Sequence, residues 1–76
     1  MIYRESDTVV LVEDLPAQGL QRGDLGAVVH VLSPSTLEVE FVTATGHTRA
    51  LVALDACAVR PVGRDDLLTV RGPVAA

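Results

Sequence analysis

The chain of 76 residues carries ten acidic and six basic side chains, which gives a formal net charge of −4. This length fits one domain with a small hydrophobic core. The single cysteine excludes an intramolecular disulfide, and no apolar run is long enough to cross a bilayer. Since no signal-peptide pattern opens the chain either, we expect a cytoplasmic protein without a membrane role.

Five short strands are predicted, in chain order, from apolar and β-branched runs separated by turn-forming residues. They cover residues 8–12, 27–32, 37–42, 48–54 and 59–62. The third run has the clearest two-residue period, so we expect Leu37, Val39 and Phe41 to be buried and the intervening glutamates to be solvated. A short 3₁₀ turn is expected just before the fifth strand. The pattern predicts an all-β fold, a small five-stranded SH3-like barrel.

The long connection between the first two strands contains three glycines and an aspartate that we assign to a structural turn. Gly19, Gly23 and Gly26 each suit a backbone position with positive φ or close approach. Asp24 is expected to accept hydrogen bonds from amides of the turn. A valine in place of Gly26 is expected to damage the fold, because a β-branched side chain resists positive φ.

An excess of apolar residues indicates a contact surface outside the core. Strict alternation along residues 27–32 places Val28, His30 and Leu32 on the outer face of the second strand. Three strands are apolar on both faces, which is more than one small core needs to bury. We interpret the three residues as a candidate interface, covered either by a partner or by residues 63–76 folding back on the barrel.

The turn sequence carries a family resemblance. Residues 19–28, GLQRGDLGAV, fit the pattern G-x-x-[KR]-G-x-x-G-x-V and resemble the KOW-type turn of SH3-like barrels in ribosomal and transcription-elongation proteins. With the stretches VVLVEDLPAQGLQRGDLGAVVHV, EVEFV and VRPV, residues 7–62 resemble more closely a family of small stand-alone bacterial proteins catalogued as a domain of unknown function. The resemblance implies a KOW-like barrel and brings no established activity. We assign residues 1–62 to the barrel and residues 63–76 to a short C-terminal extension, either an extra strand or a helical turn packed on it.

Candidate catalytic and metal-binding residues are few. Cys57 lies among apolar neighbours, which favours a buried and inert thiol. His30 and His47 are seventeen residues apart and lack both a motif-placed acid and the paired spacing of zinc ligands. We therefore predict a non-enzymatic protein with no catalytic, metal or cofactor site and no small-molecule substrate.

Two function classes remain open. The first is a protein-interaction module that self-associates or docks on a larger bacterial protein, and the second is a KOW-like nucleic-acid-binding accessory protein. The basic residues are scattered arginines, and Glu13, Asp14 and Asp24 share the connection that carries Arg22. Acids in this position repel a polyanion, and only two aromatic residues are available for base stacking. We therefore predict the interaction module and expect no nucleic-acid partner.

Overall fold

The fold is built on one five-stranded antiparallel sheet. The computed structural model describes residues 2–73. The strands, in the spatial order β4-β3-β2-β1-β5, are β1 (Thr8–Leu11), β2 (Leu25–Ser33), β3 (Thr36–Val42), β4 (Thr48–Asp55) and β5 (Val59–Pro61). Two 3₁₀ turns, Pro16–Gln18 and Ala56–Ala58, are added to them, and the second lies just before β5 as the sequence predicts.

The all-β prediction is confirmed, but the closure of the sheet is not. The strand β1 pairs with both β2 and β5. At the two edges, β4 and β5 each have one neighbouring strand within residues 2–73. The sheet is therefore open between these edges, and a closed SH3-like barrel stays a prediction.

One face of the sheet buries the hydrophobic core. The alternation predicted for β3 is confirmed, because Leu37, Val39 and Phe41 are each at most 2% exposed. The intervening glutamates are half-buried rather than fully solvated. One of them, Glu40, accepts a hydrogen bond from Thr48 Oγ1 at 2.7 Å. Full burial of a large apolar side chain contributes about 1.5–3 kcal/mol to the free energy of unfolding. Because β3 buries three such side chains, it contributes strongly to the stability of the domain.

The connection between β1 and β2 is a packed loop. Its buried Leu20 exchanges backbone hydrogen bonds with Leu15 at N–O distances of 3.0 and 3.1 Å. Gly19 and Gly23 have positive φ values of 71° and 94°, which glycine adopts at little steric cost. The loop therefore has a defined shape, and this shape positions Asp24 at its end.

Gly26 has no positive φ, so that reason for a glycine at this position is wrong, and the alternative of a close approach holds instead. It lies in β2 and is buried. A Cβ atom here would lie 2.6 Å from Val39 Cγ1 and 2.9 Å from Phe41 Cε1. Non-bonded carbon atoms prefer about 3.5–4.0 Å. Glycine is needed at position 26 because core side chains of β3 pack directly against the backbone of β2.

A β-bulge in β2 corrects the predicted faces of this strand. Val28 is 1% exposed and lies in the core, so its assignment to the outer face is wrong. The register then shifts before His30, which pairs with Glu38 on the outer face. The extra residue, Val29, reverses the side-chain alternation at this point. His30 is exposed on the side that the sequence indicates, and Leu32 is exposed at a second register shift, between Val31 and Ser33.

The C-terminal segment, defined as residues 62–73, forms neither a strand nor a helix. It begins with a turn in which the Asp66 amide donates a hydrogen bond to the Gly63 carbonyl at 3.2 Å. Leu67, Leu68 and Val70 are 75% to 93% exposed, so these side chains do not fold back as a cover for the sheet. Residues 74–76 of the predicted extension lie outside the described residues, as does Met1.

Candidate functional site

A groove lies between the β1–β2 connection, the end of β3 and the C-terminal segment. Its volume is about 800 Å³, and four of the six arginines line it. We call it the arginine groove and define it by Arg22, Arg49, Arg60 and Arg71. Its other walls are largely apolar and include Val10, Leu20, Phe41, Val62, Leu67 and Leu68.

The far end of the C-terminal segment is held by an ion pair to the structural turn. Arg71 Nε donates to Asp24 Oδ1 at 2.9 Å, and Arg71 Nη2 donates to Asp24 Oδ2 at 2.6 Å. The same Nη2 group also donates to the Gly19 carbonyl at 3.2 Å. A two-point guanidinium–carboxylate contact fixes orientation as well as distance. One wall of the groove is thereby fastened to the turn that forms another wall.

Asp24 serves the turn and the C-terminal segment at once. Besides pairing with Arg71, its Oδ2 atom accepts a hydrogen bond from the Gln21 amide at 2.8 Å. Burial alone would raise the pKa of Asp24, but the hydrogen bonds from Arg71 and Gln21 outweigh it and lower the pKa below its usual value. The carboxylate is therefore charged at neutral pH, as the contact with Arg71 requires.

A second ion pair holds the near end of the C-terminal segment. Arg60 Nη1 and Nη2 donate to the two carboxylate oxygens of Asp66 at 2.8 and 3.2 Å. The Gly63 amide also donates to Asp66 Oδ2 at 2.6 Å. These contacts, the Arg60 hydrogen bond first, lower the pKa of Asp66. The segment is thus fastened by one Arg–Asp pair before its exposed leucines and by another after Val70.

Arg22 and Arg49 differ from the two ion-paired arginines of the groove. The guanidinium groups of Arg22 and Arg49 have no carboxylate oxygen within 4 Å in the described part of the chain. The Arg49 guanidinium lies against Gly19, in space that the Cβ of any other residue would occupy. Gly19 therefore provides room for the Arg49 side chain as well as a positive φ.

The groove has the opposite charge to the whole chain. Its lining includes four arginines and two acidic residues, Asp24 and Asp66, which gives a net charge of +2. The whole chain has a formal charge of −4. Positive charge that is dispersed along the sequence is thus concentrated in one groove, where it produces a local attraction for anionic groups.

The predicted interface residues lie in β2, outside the groove. His30 Nδ1 is 3.7 Å from Glu5 Oε1, and both side chains are largely exposed. Leu32 is nearby in sequence and half exposed, whereas Val28 is in the core. The structure therefore places His30 on the outer face, leaves Leu32 half exposed at a register shift, and puts Val28 in the core.

Cys57 is exposed, so the prediction of a buried thiol is wrong. It lies in the 3₁₀ turn before β5, where its amide donates to Asp55 Oδ1 at 2.9 Å. The neighbouring Asp55 carboxylate, through a side-chain hydrogen bond and its negative charge, raises the pKa of the thiol. Since the thiolate is the reactive form, this environment makes Cys57 a weaker nucleophile at neutral pH.

Metal-ligating side chains are not clustered in the described part of the chain. No group of three or more histidine, cysteine, aspartate or glutamate side chains within residues 2–73 has the proximity to hold a metal ion. His47 lies in the turn between β3 and β4, with its Nδ1 atom 3.4 Å from Thr45 Oγ1. The helical elements over the same residues are too short to cross a bilayer.

Sequence reasoning missed the arginine groove. Its arginines span 49 positions from Arg22 to Arg71, and they come together only through strand pairing and the two ion pairs. The one local signal was Asp24, whose role in the turn the sequence indicated without its partner Arg71. A pairing between residues 47 positions apart has no signature in a single sequence.

Comparison with known proteins finds one family, whose match covers the part of the chain that forms the sheet. A search of curated proteins and a search of solved structures each return no match. The model of one family, described as "Domain of unknown function (DUF4926)", matches residues 5–61, about three quarters of the chain. The matched range includes all five strands and ends before the C-terminal segment. The chain therefore belongs to the DUF4926 family of domains of unknown function.

Proposed function

We propose that the chain is a non-enzymatic, cytoplasmic protein-interaction module based on an SH3-like fold, which docks on a larger bacterial protein through the arginine groove. The observation that carries the proposal is the composition of this groove. It combines apolar walls with two arginines that have no acidic partner within residues 2–73. Recognition sites for protein segments commonly join apolar contact area to a few fixed charged groups.

The exposed apolar side chains of the C-terminal segment support the same function. Leu67, Leu68 and Val70 line the groove between the two ion-paired residues of the segment, and they remain exposed. Covering a leucine or valine fully contributes about 1.5–3 kcal/mol. A partner seated in the groove would supply this cover. Self-association through His30 and Leu32 has weaker support, because Val28 is buried and Glu5 and Glu38 interrupt the apolar surface.

The experiment is affinity capture from the native cell with matched variants. The baits are the wild-type chain, the double variant Arg22→Gln/Arg49→Gln and the control Arg64→Gln, whose arginine is exposed outside the groove. We expect a protein that is captured by the wild type and by Arg64→Gln but lost with the double variant, and that rebinds when both partners are purified. Capture that is lost with Leu32→Glu and kept with the double variant would contradict a groove interface.

Nucleic-acid binding is the second candidate, and the gathering of four arginines is the observation that favours it. Asp24 and Asp66 neutralise two of them, so about two remain for phosphate contacts. Two contacts predict an affinity that falls only about tenfold between about 50 and 200 mM salt. Fluorescence anisotropy with labelled RNA and duplex DNA measures this. Submicromolar binding with a much steeper salt dependence would favour the nucleic-acid function instead.

A further inference from the structure

We propose that the occupant of the arginine groove is a peptide segment of the partner that carries carboxylates next to apolar residues, with the carboxylates paired to Arg22 and Arg49. This inference rests on the proposed function and names the chemistry of the partner. It follows from three observations: the charge of the groove, the geometry of the existing ion pairs, and the position of the exposed apolar side chains.

The groove already binds carboxylates twice within the chain. Arg60 and Arg71 each hold an aspartate through two N–H···O contacts of 2.6–3.2 Å. Arg22 and Arg49 offer the same fork of donors in the same groove. A carboxylate fits this fork in its plane, with one oxygen on each N–H group.

Two of the cationic groups lie close to each other at Gly19. Arg71 donates to the Gly19 carbonyl, and the Arg49 guanidinium lies against the position of the Gly19 Cβ. Only Arg71 is neutralised there, by Asp24. With Arg71 paired to Asp24, the uncompensated charge at this point is that of Arg49, and it attracts a carboxylate.

The walls of the groove distinguish a carboxylate peptide from a polyphosphate. Asp24 and Asp66 place fixed negative charges in the groove beside Arg71 and Arg60, and a continuous phosphate backbone would pass close to them. A peptide can place single carboxylates at Arg22 and Arg49 and apolar side chains elsewhere. The exposed Leu67 provides apolar contact area for those side chains. Charge complementarity and apolar contact therefore select the same occupant.

The test uses a displayed library of random octapeptides and the full chain. We expect the wild type to enrich peptides in which Asp or Glu is adjacent to Leu, Ile, Val or Phe. A synthetic peptide of the enriched sequence should lose about tenfold or more in affinity with Arg22→Gln/Arg49→Gln, and should bind Arg64→Gln as it binds the wild type. Replacing Asp by Asn and Glu by Gln in the peptide should lower its affinity for the wild type by a similar factor. The amide peptide and the acidic peptide should then bind the double variant with equal affinity.

A folding control keeps this test interpretable. The single variant Arg22→Gln removes an exposed guanidinium group that makes no side-chain hydrogen bond within the described residues, so its thermal midpoint should equal that of the wild type. It should still show part of the affinity loss. If Arg22→Gln binds the peptide as the wild type does and the double variant fails to fold, the role of Arg22 is refuted.

Three other outcomes would overturn the inference. They also show whether the proposed function fails together with it. Enriched peptides without acids that shift the backbone amide signals of residues 19–25 would refute the acidic partner and keep the groove as a protein-binding site. Stronger binding of RNA than of any peptide would refute both. Absence of any enriched peptide, together with no partner captured from the cell, would also refute both.

Discussion

At the scale of single residues, Asp24 links the structural turn to the C-terminal segment. Its carboxylate accepts hydrogen bonds from the Gln21 amide and from Arg71, so one side chain stabilises two walls of the groove. The aspartate was predictable from its place between two glycines, since aspartate commonly closes turns. Its second partner was not, because Arg71 is 47 residues away.

The link through Asp24 should depend on pH. Because folding lowers the pKa of Asp24, the ion pair contributes stability that is fully present above the ordinary carboxyl pKa, about 3.9, and is lost as the pH falls through the lowered value. We expect the backbone amide signals of residues 67–71 to move in an NMR titration from about pH 5 to about pH 2. Asp24→Asn should place these signals near their acid positions already at neutral pH. Signals of the wild type that stay constant throughout would contradict the link.

Gly26 tests close packing between β2 and β3. A Cβ atom would lie 2.6 Å from Val39 Cγ1, so Gly26→Ala should lower the free energy of unfolding by about 1–3 kcal/mol through overpacking. Gly72→Ala is the matched control, since a Cβ atom there has no neighbour within 4 Å and the backbone has no positive φ. Urea denaturation measures both. Equal midpoints for the two variants would show that the core adapts to the added methyl group.

Phe41 is the largest side chain of the core and should be needed for folding. Phe41→Ala is expected to lower the free energy of unfolding by about 3–5 kcal/mol, most of the stability available to a domain of this size. The neighbouring Val42 is more than half exposed, so Val42→Ala should change it by less than about 1 kcal/mol. Circular dichroism melts compare the two. A Phe41→Ala melting midpoint near that of the wild type would contradict the expectation that Phe41, and with it β3, is needed for folding.

At the scale of elements, β3 was predictable and β2 was not. Along β3, Leu37, Val39 and Phe41 keep a strict two-residue period, so one register satisfies the whole strand. Along β2, almost every residue from position 27 to position 32 is apolar, so the sequence cannot show where an extra residue is inserted. The bulge at Val29 then moved Val28 from the predicted outer face to the core.

The C-terminal segment makes an element-scale prediction of its own. The triple variant Leu67→Ser/Leu68→Ser/Val70→Ser should melt near the wild-type temperature, because these side chains are 75% to 93% exposed and contribute little to folding. The same variant should bind a groove peptide more weakly, because the peptide loses apolar contact area. A clear fall in melting temperature would instead show that these residues pack on the sheet in solution.

At the scale of the whole molecule, the family match covers the sheet and part of the groove. The match to residues 5–61 confirms a domain of unknown function, whereas the SH3-like barrel and the KOW-type turn stay predictions. Arg71 and the apolar side chains that the C-terminal segment adds to the groove lie beyond the matched range, whereas Arg22 and Arg49 lie within it. The family match therefore includes the two arginines of the proposed binding site but not the C-terminal wall of the groove.

The pairing of β1 with β5 makes the sheet suitable for circular permutation. Val9 lies opposite Pro61, so the first and last strands of the sheet meet side by side. A circular permutant with a short linker between these two ends, opened in the turn between β2 and β3, would retain every strand pair. Such a molecule would lack the C-terminal segment as a wall. The rearranged chain would thus keep the strand pairs of the sheet together with Arg22 and Arg49, while the groove would lose the wall that carries Arg71.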